Sequence, residues 1–386
     1  MTGTEPLAAI LRGDACEMTD ALVDTAEAEG LAPLVAASHA ATSAQPSLSG
    51  RLRRILADAE ALSMARTREL RRVLESLAAA GLRPLVIKGA HLAHTIYATA
   101  ALRPRTDTDL SVEHHDHDRA ADVLIGLGYR RLVHVRGSLI LGQCHFEYVD
   151  GAGVGHAIDL HWRLAAPLIL RDVRAPAAML PNATPIASLG STARGPSLPD
   201  ALIVACVHLV AHHRDAPRLL WLYDIVMLAS ALDANGTDLF LRTIEAEKVR
   251  TLCSVALRRA HEFMRDAKVE ALIGRLDALP ACDEPSARLL DTSRKAEELW
   301  LDLRAARGWS ERLLLLKEHL WPDADYMRAT HGAGGSLAAA YTRRVLFGAR
   351  RWMRPTSPSD RTAAPAAPPA DSAAGSGLRS ASRTSR

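Results

Sequence analysis

The sequence predicts an α+β protein, with a small mixed-sheet core set between N-terminal helices and a larger C-terminal helical domain. Apolar residues recur at helical spacing from residue 5 to about 80, and again from Pro199 onward. Between those stretches, short strand-type runs gather within roughly 82–165. They cluster instead of alternating regularly with helices, which argues against a doubly wound α/β arrangement. The expected units are a helical segment at 1–81, the α/β core at 82–165, a helical domain at 166–354 and a tail at 355–386. The tail is rich in Pro, Ala and Ser without apolar periodicity, so it is expected to be disordered.

Each element follows from its own pattern. In RLRRILADAEALSMARTRELRRVLESLAAAG (51–81), Ile55, Leu56, Ala59, Leu62, Leu70, Val73, Leu74 and Leu77 form one apolar stripe, and Gly81 is the expected C-cap. Leu85-Val86-Ile87 reads as a short buried strand running into Lys88-Gly89. A helix over 90–100 follows and is broken at Leu102-Arg103-Pro104. Asp107 to Val112 alternates as a strand, and 118–129 is an amphipathic helix ending at Gly128. HFEYV (145–149) and GHAIDLHW (155–162) flank the turn Asp150-Gly151-Ala152-Gly153, a hairpin signal. Helices are expected over 200–213, 218–232, about 237–267, 284–305 and 309–320.

The bulk numbers exclude several classes. A chain of 386 residues can bury a sizeable core, and 48% hydrophobic with 24% charged residues is ordinary for a soluble globular protein. Aromatics are scarce at 4%, while Ala, Leu and Arg favour helix. A net charge of +3 gives no electrostatic case for DNA binding. Five cysteines without a CxxC spacing read as reduced thiols. No basic leader precedes an apolar run, and no apolar stretch approaches the ~18 residues of a membrane span. The expectation is a cytoplasmic protein, with oligomeric state left open.

Strand parity brings out the chemistry. Asp107, Asp109 and Ser111 share one face, opposite Thr108, Leu110 and Val112. Ala157, Asp159 and His161 share a face opposite Ile158, Leu160 and Trp162. If these strands are neighbours, three carboxylates meet at one end of the sheet. Such hard oxygen ligands suit Mg²⁺, which prefers carboxylates, substrate phosphates and water. Two ions could clamp the attacking and leaving oxygens of an in-line phosphoryl or nucleotidyl displacement. Lys88 would add a point charge for a triphosphate, and Gly89 would allow close backbone approach at a helix start. A D-x-D pair or a Lys-Gly dipeptide alone is common in turns, so the signal is the fixed order of the three elements.

Those residues also carry a resemblance. LVIKGAHLAHTIY (85–97) and ALRPRTDTDLSV (101–112) resemble the signature of a bacterial uncharacterised nucleotidyltransferase family. That family belongs to the superfamily of DNA polymerase β and kanamycin nucleotidyltransferase. Ile158-Asp159-Leu160-His161-Trp162-Arg163-Leu164 matches its next element. His208, Arg218-Leu219, Trp221-Leu222 and Asp224-Ile225 match a later one, and Leu320-Trp321-Pro322 the last. The resemblance covers about 20–345. It implies Mg²⁺-dependent transfer of NMP from an NTP to the hydroxyl of a small molecule or RNA, releasing pyrophosphate, with two ions when nucleotide is bound.

By the same resemblance, Asp107 and Asp109 would hold the ions. Asp159, the third carboxylate, would orient or deprotonate the acceptor. Lys88 and Gly89 would hold the triphosphate together with Arg103 or Arg105, of which the family pattern keeps Arg103. His208, Trp221 and Asp224, together with His161, would form an acceptor pocket, or the first three a packed polar contact between two helices. The i,i+4 pair His208 and His212 lacks the glutamate of a zinc protease motif. Ala90 stands where many superfamily members have serine, and Thr108 and Ser111 replace apolar residues, a change suited to a half-exposed strand. The alternative expectation is therefore a catalytically weak or inactive nucleotide-binding accessory protein of a biosynthetic cluster. Glu113–Asp118 reads as a polar loop with Asp116 or Asp118 as N-cap. Arg343, Arg344, Arg350, Arg351 and Arg354 with Trp352 read as a solvated basic stripe.

Overall fold

The structure is a computed structural model and describes residues 4–39, 46–133, 137–213, 216–331, 336–342 and 344. The tail expected at 355–386 and all of the basic stripe except Arg344 lie outside the described residues. Arg344 is engaged, with Nε and Nη2 directed at the His319 carbonyl at 3.4 and 3.2 Å.

The N-terminal helices are α1 (Glu5–Arg12), α2 (Asp20–Glu29), α3 (Ala32–His39) and the long α4 (Pro46–Ala79). Strand β1 (Leu85–Ile87) passes directly into α5 (Lys88–Thr95). After β2 (Thr108–Ser111) come α6 (His117–Gly126), β3 (Arg130–Arg131), and the hairpin β4 (Gln143–Val149) and β5 (Gly155–His161). The one-turn helix α7 (Pro176–Met179) precedes β6 (Thr184–Pro185) and β7 (Arg194–Gly195). Then follow α8 (Leu198–His213), α9 (Leu219–Ala231), α10 (Ala234–Ala246), α11 (Arg250–Met264) and α12 (Ala267–Asp277). The last described helices are α13 (Lys295–Ala305), α14 (Trp309–Leu320) and α15 (Ala324–His331). None of the described helices is long and apolar enough to cross a membrane.

The protein is thus α+β, with one mixed seven-stranded sheet in the order β3-β4-β5-β2-β1-β7-β6. Strand β2 runs parallel to β5 and antiparallel to β1, so the first two sequence-predicted strands and the hairpin form one continuous surface. Its apolar face follows the predicted parity: Leu110, Val112, Phe146, Ile158 and Leu160 pack with Leu70, Val73, Leu74 and Leu77 of α4 and with α6. Gly81 and Gly128 end those two helices at left-handed φ of 75° and 94°, a conformation glycine adopts without a Cβ clash. A second core joins α1–α3 and the first turns of α4, through Leu48 and Leu52, to α8–α12. Helix α4 therefore belongs to both cores.

Several expectations need correction. The helix predicted over 237–267 is two helices, interrupted at Glu247–Val249, where Lys248 adopts a φ of 54°. Helix α12 was not foreseen; Asp266 caps it by accepting from the Lys268 and Val269 amides. Residues 285–291 form a 3₁₀ turn ahead of α13. The helix predicted over 90–100 begins earlier, at Lys88, and ends at Thr95. Thr108 and Ser111 are buried, not half-exposed. Asp116 precedes α6, as expected of a cap, but its side chain makes no capping hydrogen bond.

Candidate active site

The polar face of the sheet opens into a cleft of about 840 Å³, walled by α4, the β1–β2 connection, α8 and α9. Its floor is set by register. Asp109 lies directly beside Asp159 across the parallel β2–β5 pair, and Ile87 at the end of β1 lies beside Asp109 on the other side. Period-two alternation then sends both carboxylates away from the apolar core.

Lys88 turns the chain from β1 into α5 with a φ of 51°, a left-handed conformation that costs a non-glycine residue energy. Its Nζ donates to Asp109 Oδ1 at 2.8 Å. Fully buried His161 brings Nε2 to the same oxygen at 2.8 Å and lies 3.3 Å from Lys88 Nζ. Burial opposes the charge on Asp109, but Lys88 and His161 together hold its carboxyl well below the usual range. Burial, followed by the Lys88 charge, lowers the His161 pKa, so the imidazole is neutral and donates through Nε2. Among the described residues, Asp109 Oδ2 has no hydrogen-bond partner.

Asp159 is held by the neighbouring hairpin arm. His145, its register partner in β4, donates from Nδ1 to Oδ1 at 2.6 Å, and the Gln143 amide donates to Oδ2 at 3.3 Å. Burial would lower the His145 pKa; the Asp159 carboxylate outweighs it and raises the value. Asp107 precedes β2 and is exposed to the cleft, whose walls surround it. That enclosure, with Asp109 and Asp159 nearby, pushes its carboxyl up to about 6.

A divalent ion fits this donor set. Atoms of Asp109, Asp159 and His161 lie within 4.8 Å of one another, and Asp107 projects into the same cleft. The carboxylate oxygens match Mg²⁺ better than the imidazole does. Mutual repulsion raising Asp107 is also what a cation between the carboxylates would reverse.

The remaining predicted residues fall in different places. Arg103 is 7% exposed and donates to both oxygens of Asp224, at 2.6 and 3.3 Å, while Tyr97 donates to Asp224 Oδ1 at 2.7 Å. The space beside Gly89 is taken by that guanidinium: a Cβ there would stand 2.6 Å from Arg103 Nη1. Asp224 therefore ties the loop before β2 to α9 and does not join His208. His208 and Trp221 do meet, with ring centroids 6.0 Å apart, and His213 lies 4.0 Å from Trp221. Burial first, then Lys88, lowers the pKa of His208, of His212 to about 3 and of His213 to about 4, so this wall is uncharged and aromatic. His161 belongs with the carboxylates instead. Ala90 is fully buried in the sheet core, where a hydroxyl would face apolar neighbours.

Sequence reasoning passed over His145, Gln143, Arg66 and His213. For His145 the signal was available: counting back from the Asp150 turn pairs position 145 with 159. Nothing local pointed to Arg66, which reaches the cleft from the middle of α4.

A family model described as uncharacterised nucleotidyltransferase matches residues 16–265, well over half of the chain. The match takes in the sheet, the carboxylates and the helices α8 and α9 that wall the cleft. No curated protein matches the chain. The chain belongs to that nucleotidyltransferase family.

Proposed function

From this family membership we propose that the protein transfers an NMP group from an NTP to an acceptor hydroxyl and releases pyrophosphate. The observation that carries this reading is the in-register pair Asp109 and Asp159 on the floor of a cleft large enough for a nucleotide and part of an acceptor. Asp107, Asp109 and Asp159 are the residues to hold Mg²⁺. When bound, Mg²⁺ supplies charge neutralisation for the phosphates and for the oxygens gaining charge.

The chain's own groups do the rest. Asp159 takes the proton of the acceptor hydroxyl, whose oxygen attacks the α-phosphorus as the bond from that phosphorus to the bridging oxygen of the β-phosphate breaks. The electron pair of that bond leaves with pyrophosphate. His145 donates to Asp159 and fixes its orientation, as partners of ligating carboxylates do. The uncharged wall of His208, His213 and Trp221 suits a flat nucleobase or the acceptor.

One observation favours a second reading: the Lys88 ammonium already sits on Asp109, where a cation would bind. A protein in which that ion pair persists would bind nucleotide without turnover, as an accessory component. Incubation with α-labelled NTPs, Mg²⁺ and separate pools of small metabolites and RNA decides between them. Transfer of label that Asp109→Asn abolishes supports the enzyme. Nucleotide binding without label transfer from any pool supports the accessory protein.

A further inference from the structure

The cleft wall beside Asp107 carries positive charge that its surroundings do not answer. Arg105 is 6% exposed, and its Nε and Nη2 are buried without a hydrogen-bond partner. Native structures rarely leave buried donors unpaired, and a charged donor left so is the costlier case. Arg66 reaches across from α4 and donates from Nη1 to the Arg105 carbonyl, so a second guanidinium lies against the first residue. Both side chains line the cleft.

The neighbouring cations are already engaged. Arg103 is held by Asp224 and Lys88 by Asp109. Among the described residues, neither Arg66 nor Arg105 has a carboxylate within ion-pair distance, while each feels Asp107 at longer range. Two planar forks from separate elements, with unfilled donors beside a carboxylate cluster, make a seat for a multiply charged anion. Guanidinium groups match phosphate oxygens bidentately, which a lysine cannot do.

We propose that Arg66 and Arg105 form the seat of the polyphosphate chain of the nucleotide, and that Arg103 is a strut holding the loop to α9 instead of a phosphate contact. The identity of the anion as part of a nucleotide rests on the nucleotidyltransferase reading; the seat itself does not. Asp107 would then stand between the seat and the Asp109–Asp159 pair, with the reacting phosphorus toward the carboxylates.

Calorimetric titration of the full chain with inorganic tripolyphosphate in EDTA tests the seat without any metal. Arg66→Gln and Arg105→Gln are each expected to weaken binding at least ~10-fold, the loss of roughly one charge-assisted hydrogen bond. Arg218→Gln, an exposed cation on the α9 side of the same cleft, should bind like the parent. Arg105→Lys, which keeps the charge and loses the fork, should fall between. Thermal melts accompany each variant. Should Arg105→Gln fail to fold, half-exposed Arg66 carries the test alone. Unchanged binding by folded Arg66→Gln, or an equal loss from Arg218→Gln, overturns the seat. If no acceptor is ever labelled but tripolyphosphate binding still needs both arginines, the seat stands and the transferase reading fails. If transfer proceeds with an unaltered KM for NTP in both variants, the seat fails and the transferase reading stands.

Discussion

Asp109 accepts two donors on one oxygen, from Lys88 and His161, each at 2.8 Å, and leaves the other oxygen to the cleft. Replacement by Asn keeps the shape and removes the charge. Asp109→Asn should therefore abolish transfer and also lower the melting temperature, because the buried Lys88 ammonium loses its ion-pair partner, measured by labelled-product assay and calorimetry. Asp159→Asn should lower kcat at least ~100-fold, because it removes the base that takes the hydroxyl proton. His145 acts through Asp159, and the expected effect of His145→Ala is a kcat loss of ~10–100-fold with little change in the KM for NTP. A rise in KM with kcat untouched would mean that His145 contacts nucleotide instead of positioning Asp159. The two carboxylates could be read from strand alternation alone, since that pattern is set by backbone geometry. No such alternation reaches Arg103, whose partner Asp224 lies 121 residues away on α9.

At the scale of elements, the junction of β1 and α5 is where backbone and site meet. Gly89 is small because Arg103 lies against it. Gly89→Ala should push that guanidinium off Asp224 and cost about 1–3 kcal/mol by urea unfolding, the usual range for overpacking. An unchanged midpoint would show that the loop moves freely and that the Arg103–Asp224 tie is not a strut. Helix α4 was legible from its apolar stripe, as were the β4–β5 hairpin from its turn and the helix ends at Gly81 and Gly128. The two-residue strands β3, β6 and β7 were not, because two residues cannot show a period. The break at Glu247–Val249 was hidden by a continuous helical pattern; α10 ends there with the Lys248 and Val249 amides donating back to the Glu245 and Ile244 carbonyls as Lys248 turns left-handed. Parity showed which faces the carboxylates occupy; the parallel pairing that sets them side by side depends on strand order, which periodicity does not encode.

Across the whole molecule, two apolar cores share α4, and the cleft opens where the sheet's polar face meets α8 and α9. Neutral histidines are built into that packing. His91, buried against Gly195, has its pKa lowered by burial and then by His94 to about 4. A depressed folded pKa means that the unfolded chain takes up the proton first, so this stability is present above about 6.5 and is lost as pH falls toward 4. Stability should drop by roughly 3 kcal/mol per such residue over that window, and His91→Asn should flatten the acid limb of the melting-temperature profile. Equal slopes for parent and variant would remove His91 from the cause. The most direct test of the whole account follows the two ends of the nucleotide separately. With Mg²⁺ and the responsive acceptor pool, α-labelled NTP should leave its label on the acceptor while γ-labelled NTP releases its label as pyrophosphate, both depending on Asp109. Transfer of the γ label, or α-label transfer that survives Asp109→Asn, would contradict it.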